Sequence, residues 1–237
     1  MQWYEKLIDN LDNKESYSHK ELVDELRELK PDLTNNAYHW ALSSLVREGK
    51  LIRRGYDTYC PPDGKLRIEY QPNYSEASLN ISEEIQKKYP YVQFTVFETI
   101  LMNEFLNHLI ANNTIFIQTE KECGIFIFRF LQESGYQNLM YKPDARDFNL
   151  YWTKDCIVIT DLISEAPMRA NIPYKILLEK MLVDILADKR IAAAYSKAEL
   201  PNIFEQVKSK YIIDTVRMYR YARRRNKQDE LKKYMER

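Results

Sequence analysis

The sequence predicts an α+β fold, an N-terminal winged helix-turn-helix followed by a mixed α/β domain with a helical C-terminus. Three observations predict it. Across residues 1–62, three helical patterns lead into a basic strand–turn–strand pattern. Across 66–165, short apolar strand patterns alternate with helical ones, which predicts a small mixed sheet. From 171 to 237 only helical periodicity remains, so the second domain, 66–237, divides into a sheet-containing part and a helical part.

Trp3, Tyr4, Leu7, Ile8 and Leu11 recur at spacings of three and four and predict a first amphipathic helix. In "SHKELVDELRELKP", Ser18 and Glu21 form a capping-box pair, Leu22, Val23, Leu26 and Leu29 form the apolar stripe, and Pro31 stops the helix. Thr34 caps a third helix that runs to about Glu48, with Gly49 at the left-handed closing position. At about 100° per residue, Tyr38, Ala41, Leu42 and Leu45 share one face of it, while Asn36, His39, Trp40, Ser43 and Arg47 share the other. "KLIRRGYDTYCPP" then reads as a hairpin turning at Gly55.

In such a unit the third helix enters the major groove and the hairpin lies on the backbone or minor groove. Asn35, Asn36, His39, Ser43 and Arg47 supply amide, imidazole, hydroxyl and guanidinium groups suited to base edges. Arg53 and Arg54 at the hairpin would hold phosphates, which position without reading sequence. The competing reading is a solvated helix face with Trp40 packed on the rest of the chain. Charge placement favours DNA: residues 1–33 hold five Lys/Arg against nine acids, whereas residues 34–60 hold Arg47, Lys50, Arg53 and Arg54 against Glu48 and Asp57. So small a patch implies a dimer or repeated half-sites on DNA.

In the second domain, "KLRIEYQP" predicts a strand and "NISEEIQKKYP" a helix capped by Ser78 or Asn80. "YVQFTVF" is strand-like, "ETILMNEFLNHLIAN" helical, "TIFIQTE" a buried strand, and "KECGIFIFRFLQESG" a helix closed by Gly135. "NLMYKP" and "CIVITDLI" predict two more strands. "PYKILLEKMLVDILADK" predicts a helix with Pro173 in its first turn, and helices follow in "IAAAYSKAEL", "PNIFEQVKSK", "IIDTVRMYRYARRRN" and "KQDELKKYMER". From Arg217 onward nine Lys/Arg stand against three acids. Arg217, Arg220, Arg223, Arg224, Arg225 and Lys227 mark either a surface for nucleic acid or an acidic partner, or a solvated terminal helix.

Composition narrows the chemistry. Over the whole chain 35 Lys+Arg balance 35 Asp+Glu, so nucleic-acid binding requires a local patch. Cys60, Cys123 and Cys156 have no CxxC spacing, which disfavours structural zinc and disulfides and suits reduced thiols in the cytoplasm. The start "MQWYEKLIDN" lacks a signal-peptide pattern, and the apolar runs are too short to span a membrane. The five glycines form no phosphate loop. His19, His39 and His108 have no HxxxH or HExxH spacing, and no GxSxG occurs.

No catalytic constellation, metal site or cofactor site is therefore expected. "PDARD" supplies Asp144 as half of a metal-dependent nuclease motif, but the acid-x-Lys half is missing; Asp155 and Asp161 flank a strand, where solvated acids are common. Two alternatives remain open: a degenerate nuclease or nucleotidyltransferase, and a repressor that senses a small ligand.

"LTNNAYHWALSSLVREGKLIRRGYDTYCP", "IPYKILLEKMLVDILADK" and "YRYARRRNKQDELKKYME" resemble stretches of the AbiEi-type antitoxins of type IV, abortive-infection toxin–antitoxin systems. The first of these stretches is common to many winged helices. The resemblance implies a regulator that represses its own operon by binding double-stranded promoter DNA, and whose C-terminal domain antagonises a nucleotidyltransferase-like toxin. It places the DNA contacts on Asn35, Asn36, His39, Ser43, Arg47, Arg53 and Arg54, and toxin antagonism on the basic C-terminal helices.

Overall fold

The computed structural model describes residues 2–11, 16–53, 57–61, 67–172 and 174–236. Arg54, the turn at Gly55, and Pro173 lie outside the described residues. The chain forms two compact units, Met1–Leu66 and Arg67–Arg237, each with its own apolar core.

In the first unit, a 3-10 turn (Trp3–Glu5) runs into α1 (Lys6–Asn10), followed by β1 (Tyr17–Ser18), α2 (His19–Leu29), α3 (Asn35–Arg47), β2 (Ile52–Arg53) and β3 (Thr58–Cys60). Ser18 accepts from the Glu21 amide while Glu21 reaches back to the Ser18 amide, so the capping box starts α2. Leu22, Val23, Leu26, Tyr38, Ala41, Leu42 and Leu45 interlock beneath α2 and α3. Gly49 follows α3 at φ +70°, a conformation that costs other residues strain. β2 pairs with β3 as the basic segment predicts, and β1 adds a third strand on the other side of β3. Tyr17 and Ser18 carry no strand signal of their own; their pairing with Tyr59 and Thr58 joins positions some forty residues apart.

The second unit is built on a mixed four-stranded sheet of order β4-β5-β7-β6, from β4 (Phe94–Glu98), β5 (Thr114–Thr119), β6 (Leu139–Tyr141) and β7 (Cys156–Asp161). β4 runs antiparallel to β5, whereas β5, β7 and β6 are mutually parallel. The parallel strands are joined through α5 (Gly124–Glu133) and α6 (Ala145–Tyr151). β5 is buried throughout and β7 nearly so, which explains their unbroken apolar runs. A Cβ on Gly124 would lie 3.2 Å from the Tyr141 ring, so glycine lets α5 start close against the sheet.

α4 (Glu76–Lys88) precedes the sheet, and α7 (Leu178–Ala187), α8 (Lys189–Ala192), α9 (Leu200–Lys210), α10 (Thr215–Arg224) and α11 (Gln228–Met235) follow it. α7 is buried on almost every side, its charged residues Glu179, Lys180 and Asp184 included. Among the described residues no helix is long and apolar enough to cross a membrane.

Several local expectations are corrected. Residues 67–72 form no strand: Ile68 makes a single parallel bridge with Tyr211, and the Tyr70 ring packs on Phe105 and Tyr211. α4 begins after Ser75 rather than at Ser78 or Asn80, because the buried Glu98 carboxylate accepts from the Ser75 amide (2.6 Å), the Ser75 hydroxyl (2.8 Å), the Ser78 hydroxyl (2.8 Å) and the Asn113 amide (2.6 Å). The helical spacing after Glu98 yields only a 3-10 segment (Thr99–Glu104), since Asn103 closes the next loop by hydrogen bonds to the amide and carbonyl of Ile110. α7 starts at Leu178 because the preceding residues cover the edge of β4, where the Val96 amide donates to the Tyr174 carbonyl at 2.8 Å. α6 is an added helix in the "PDARD" region.

The Glu98 arrangement yields a test. Glu98→Gln replaces an acceptor oxygen by a donor among four converging donors, and the expected loss is about 1–3 kcal/mol of stability. Thermal unfolding measures it; an unchanged melting temperature would show that these hydrogen bonds contribute nothing net.

Candidate functional site

In the first unit, α3 carries the predicted face. The Tyr38 hydroxyl donates to the Lys30 carbonyl at 2.7 Å, pinning the turn between α2 and α3. At the far end, the Tyr4 hydroxyl donates to Glu48 at 3.1 Å. With the apolar side held, Asn35, Asn36, His39, Ser43 and Arg47 are all solvent-exposed. Trp40 lies among them, 53 % exposed, with its ring edge-on to Tyr4 rather than buried. The expectation that these groups share one exposed side of the helix follows directly from 3.6-residue periodicity.

Their states differ. Asn36 and Ser43 make no side-chain hydrogen bond among the described residues. The Asn35 side-chain oxygen Oδ1 accepts from Arg27 at 2.8 Å, which leaves the two side-chain N–H groups to donate elsewhere. Arg47 reaches Ser44 at 3.3 Å. His39 stacks on His19, with ring centroids 4.7 Å apart and Nδ1 of His39 2.9 Å from Nε2 of His19, so one ring donates to the other. His19 is anchored in turn by its amide, which donates to Asp57 at 3.1 Å.

His19 was not among the predicted site residues: it is twenty positions from His39, and only the packing of α2 on α3 brings the rings together. On the neighbouring hairpin, Arg53 is exposed and its guanidinium lies 5.9 Å from the Tyr59 ring centroid. Arg54 lies outside the described residues. Lys50, which contributed to the basic balance, is ion-paired with Glu5 and Glu48, and those acids raise its pKa while Lys50 lowers that of Glu5.

The six basic residues predicted as a second surface are not equivalent. Arg220, Arg223 and Arg224 are exposed on α10. Arg217 pairs with Asp214 at 3.2 Å and Lys227 with Glu230 at 2.5 Å. Arg225 turns inward: its side chain is only 13 % exposed and lies 3.9 Å from the Asp184 carboxylate.

Asp184 belongs to a buried polar network that sequence reasoning did not find. Lys180 and Asp184, one helical turn apart on α7, are both fully buried and ion-paired. Gln118 of β5 accepts from Lys180 and donates to Asp184 at 3.3 Å, and the Tyr221 hydroxyl donates to Asp184 at 2.8 Å. Burial pushes the Lys180 ammonium below the ordinary lysine value, against the pull of Asp184. The i, i+4 spacing was legible, but "KILLEKMLVDILADK" reads as a helix whose charges face solvent, and only its burial beneath the sheet shows otherwise.

Beside this network a cleft of about 450 Å³ opens at the carboxyl ends of the parallel strands. Gln118, Thr160 and Asp161 end β5 and β7 there, and Lys142 follows β6. Lys142 pairs with Asp161 at 2.6 Å. Arg190 binds both Asp188 oxygens, at 2.9 and 2.6 Å, and the Pro143 carbonyl at 3.0 Å. Burial raises the Asp188 carboxyl, but Arg190 outweighs it and holds the group below the usual carboxylate range. Asp144 caps α6, accepting from the amides of Arg146 and Asp147 at 2.7 and 2.8 Å. Among the described residues no group of three or more His, Cys, Asp or Glu side chains is placed to hold a metal ion.

No curated protein shows significant similarity to the chain. Among solved structures, the RV2827C protein from Mycobacterium tuberculosis is weakly similar, with 12 % identity over 98 % of this chain and 80 % of that one, and a TM-score of 0.28. A family model described as a family of unknown function, DUF6577, matches residues 37–237, from the first turn of α3 onward and including the whole second unit, and the chain belongs to that family.

Proposed function

We propose that the first unit is a winged helix-turn-helix that binds double-stranded DNA at its own promoter, and that the protein is a transcriptional regulator of its operon. The observation that carries this reading is the row Asn36, His39, Ser43 and Arg47, exposed on α3 while the opposite side of the helix is locked into the core. These side chains offer donors and acceptors in a form that major-groove edges can pair with. Arg53, exposed on β2 opposite Tyr59, would supply the phosphate contact. Such a short basic surface binds as a dimer on paired half-sites. The resemblance to AbiEi-type antitoxins extends the reading: the second unit antagonises a nucleotidyltransferase-like toxin, with Arg220, Arg223 and Arg224 as its exposed basic contacts.

The test is a footprint of the full chain on DNA upstream of its gene, repeated across a salt series. A protected repeat is expected, with affinity falling steeply as salt rises. Arg53→Ala is expected to weaken binding to all sequences alike and to reduce the salt slope by about 1. Absence of protection even at low salt would overturn the DNA-binding reading.

A further inference from the structure

We infer that the cleft at the carboxyl ends of β5, β6 and β7 binds a small phosphomonoester. In open sheets with parallel strands this edge is where ligands bind, because the strands end together and the connecting segments diverge around a crevice. Here the crevice has the size of a small-molecule site, about 450 Å³.

The charges choose the ligand. Of the cations lining the cleft, Lys142 is neutralised by Asp161 and Arg190 by Asp188. Lys180, behind the floor, neutralises Asp184. Of the other two lining cations, Lys189 has no carboxylate partner among the described residues, and Arg225 has Asp184 at 3.9 Å, a carboxylate that Lys180 already neutralises; one lining acid, Asp144, has no cation partner there.

Arg225 is the more informative of the two. Its guanidinium lies over the Tyr221 ring at 6.0 Å, 3.9 Å from Asp184, and donates no hydrogen bond among the described residues. A planar fork of five N–H donors, mostly removed from solvent, calls for oxygen acceptors, and a phosphate presents them in matching geometry. A phosphomonoester presents three terminal oxygens, enough to accept from Arg225 and Lys189 together, which a carboxylate with two oxygens does less well. Gln118 and Thr160 add polar groups at the strand ends, and Ile163 and Ala187 give the organic part an apolar wall. Every residue in this argument lies in Arg67–Arg237, so the inference stands apart from the DNA-binding reading.

Calorimetric titration of the full chain with ribose 5-phosphate, ribose and inorganic phosphate tests it. Saturable binding is expected for ribose 5-phosphate, weaker binding for inorganic phosphate, and none for ribose. Arg225→Gln is expected to weaken ribose 5-phosphate by about tenfold or more, as loss of a charged hydrogen-bonding group does. Lys189→Gln, at an exposed position where the fold is not at risk, is expected to weaken it by about threefold to tenfold and keeps the test decisive if Arg225→Gln does not fold. Three results would overturn the proposal: no saturable binding of ribose 5-phosphate at millimolar concentration, an affinity unchanged by Lys189→Gln, or ribose or inorganic phosphate binding as tightly as the ester.

Discussion

Replacing Asp184 by asparagine is expected to lower the melting temperature by about 10 °C. The substitution keeps the size and one acceptor but leaves Lys180, which has no exposed surface, without its counter-charge. Removing one partner of a buried ion pair costs about 3–5 kcal/mol, and in a domain of this size each kcal/mol lowers the melting temperature by about 2–4 °C. The variant also has a pH signature. Burial already holds the Lys180 ammonium below its ordinary value, and loss of Asp184 removes the main opposing attraction while Arg225 still repels it. A lysine whose folded pKa is depressed binds its proton more tightly when unfolded, so stability rises with pH through that interval. The deficit of Asp184→Asn is therefore expected to shrink as pH rises toward the ordinary lysine value. The double variant Lys180→Met, Asp184→Leu is expected to recover most of the loss, since it removes both charges from the interior. Thermal unfolding of the three proteins across pH decides the matter; an Asp184→Asn variant as stable as wild type would show that the pair is not held as described.

The largest functional effect is expected on α3. Asn36→Ala, His39→Ala and Arg47→Ala together should reduce specific binding to the level of non-specific binding, a loss of at least about a hundredfold, because each base contact contributes about 1–3 kcal/mol of discrimination. The three residues are exposed, so melting temperature should change little. This separates them from Arg53, whose loss acts on all sequences alike. Competition with a scrambled duplex measures the difference: the triple variant should no longer distinguish operator from competitor. A triple variant that kept full discrimination would move sequence reading away from α3. Single substitutions rank the contributors, and His19→Ala, which removes the ring stacked on His39, is expected to reproduce part of the His39→Ala effect.

Much of this surface was legible before any coordinates. The division of α3 into a buried and an exposed side follows from spacing alone, and the Ser18–Glu21 box and the Thr34 cap mark helix starts within four residues. What escaped was whatever apolar spacing and cap candidates do not show. "ETILMNEFLNHLIAN" has helical spacing, but Asn103 finds Ile110 and closes a loop instead. "NISEEIQKKYP" offers two plausible caps, but Glu98, brought over from β4, selects Ser75, outside that stretch. The inward turn of Arg225 was equally hidden, since a run of three arginines looks uniformly solvated until Asp184 draws one of them in.

The sequence by itself determined the helices and strands whose signals are local: caps three residues from their partners, apolar stripes at three and four, and the buried runs of β5 and β7. The tertiary structure alone decided the third strand of the first sheet, the His19–His39 pair, the burial of Lys180 and Asp184, and the joining of Gln118, Lys142, Asp161, Arg190 and Arg225 around one cleft. The physical reason is separation along the chain. A capping hydrogen bond or a helical stripe forms among neighbours whose geometry the backbone already constrains. A cleft at the ends of parallel strands exists only once crossover connections have set those strands side by side.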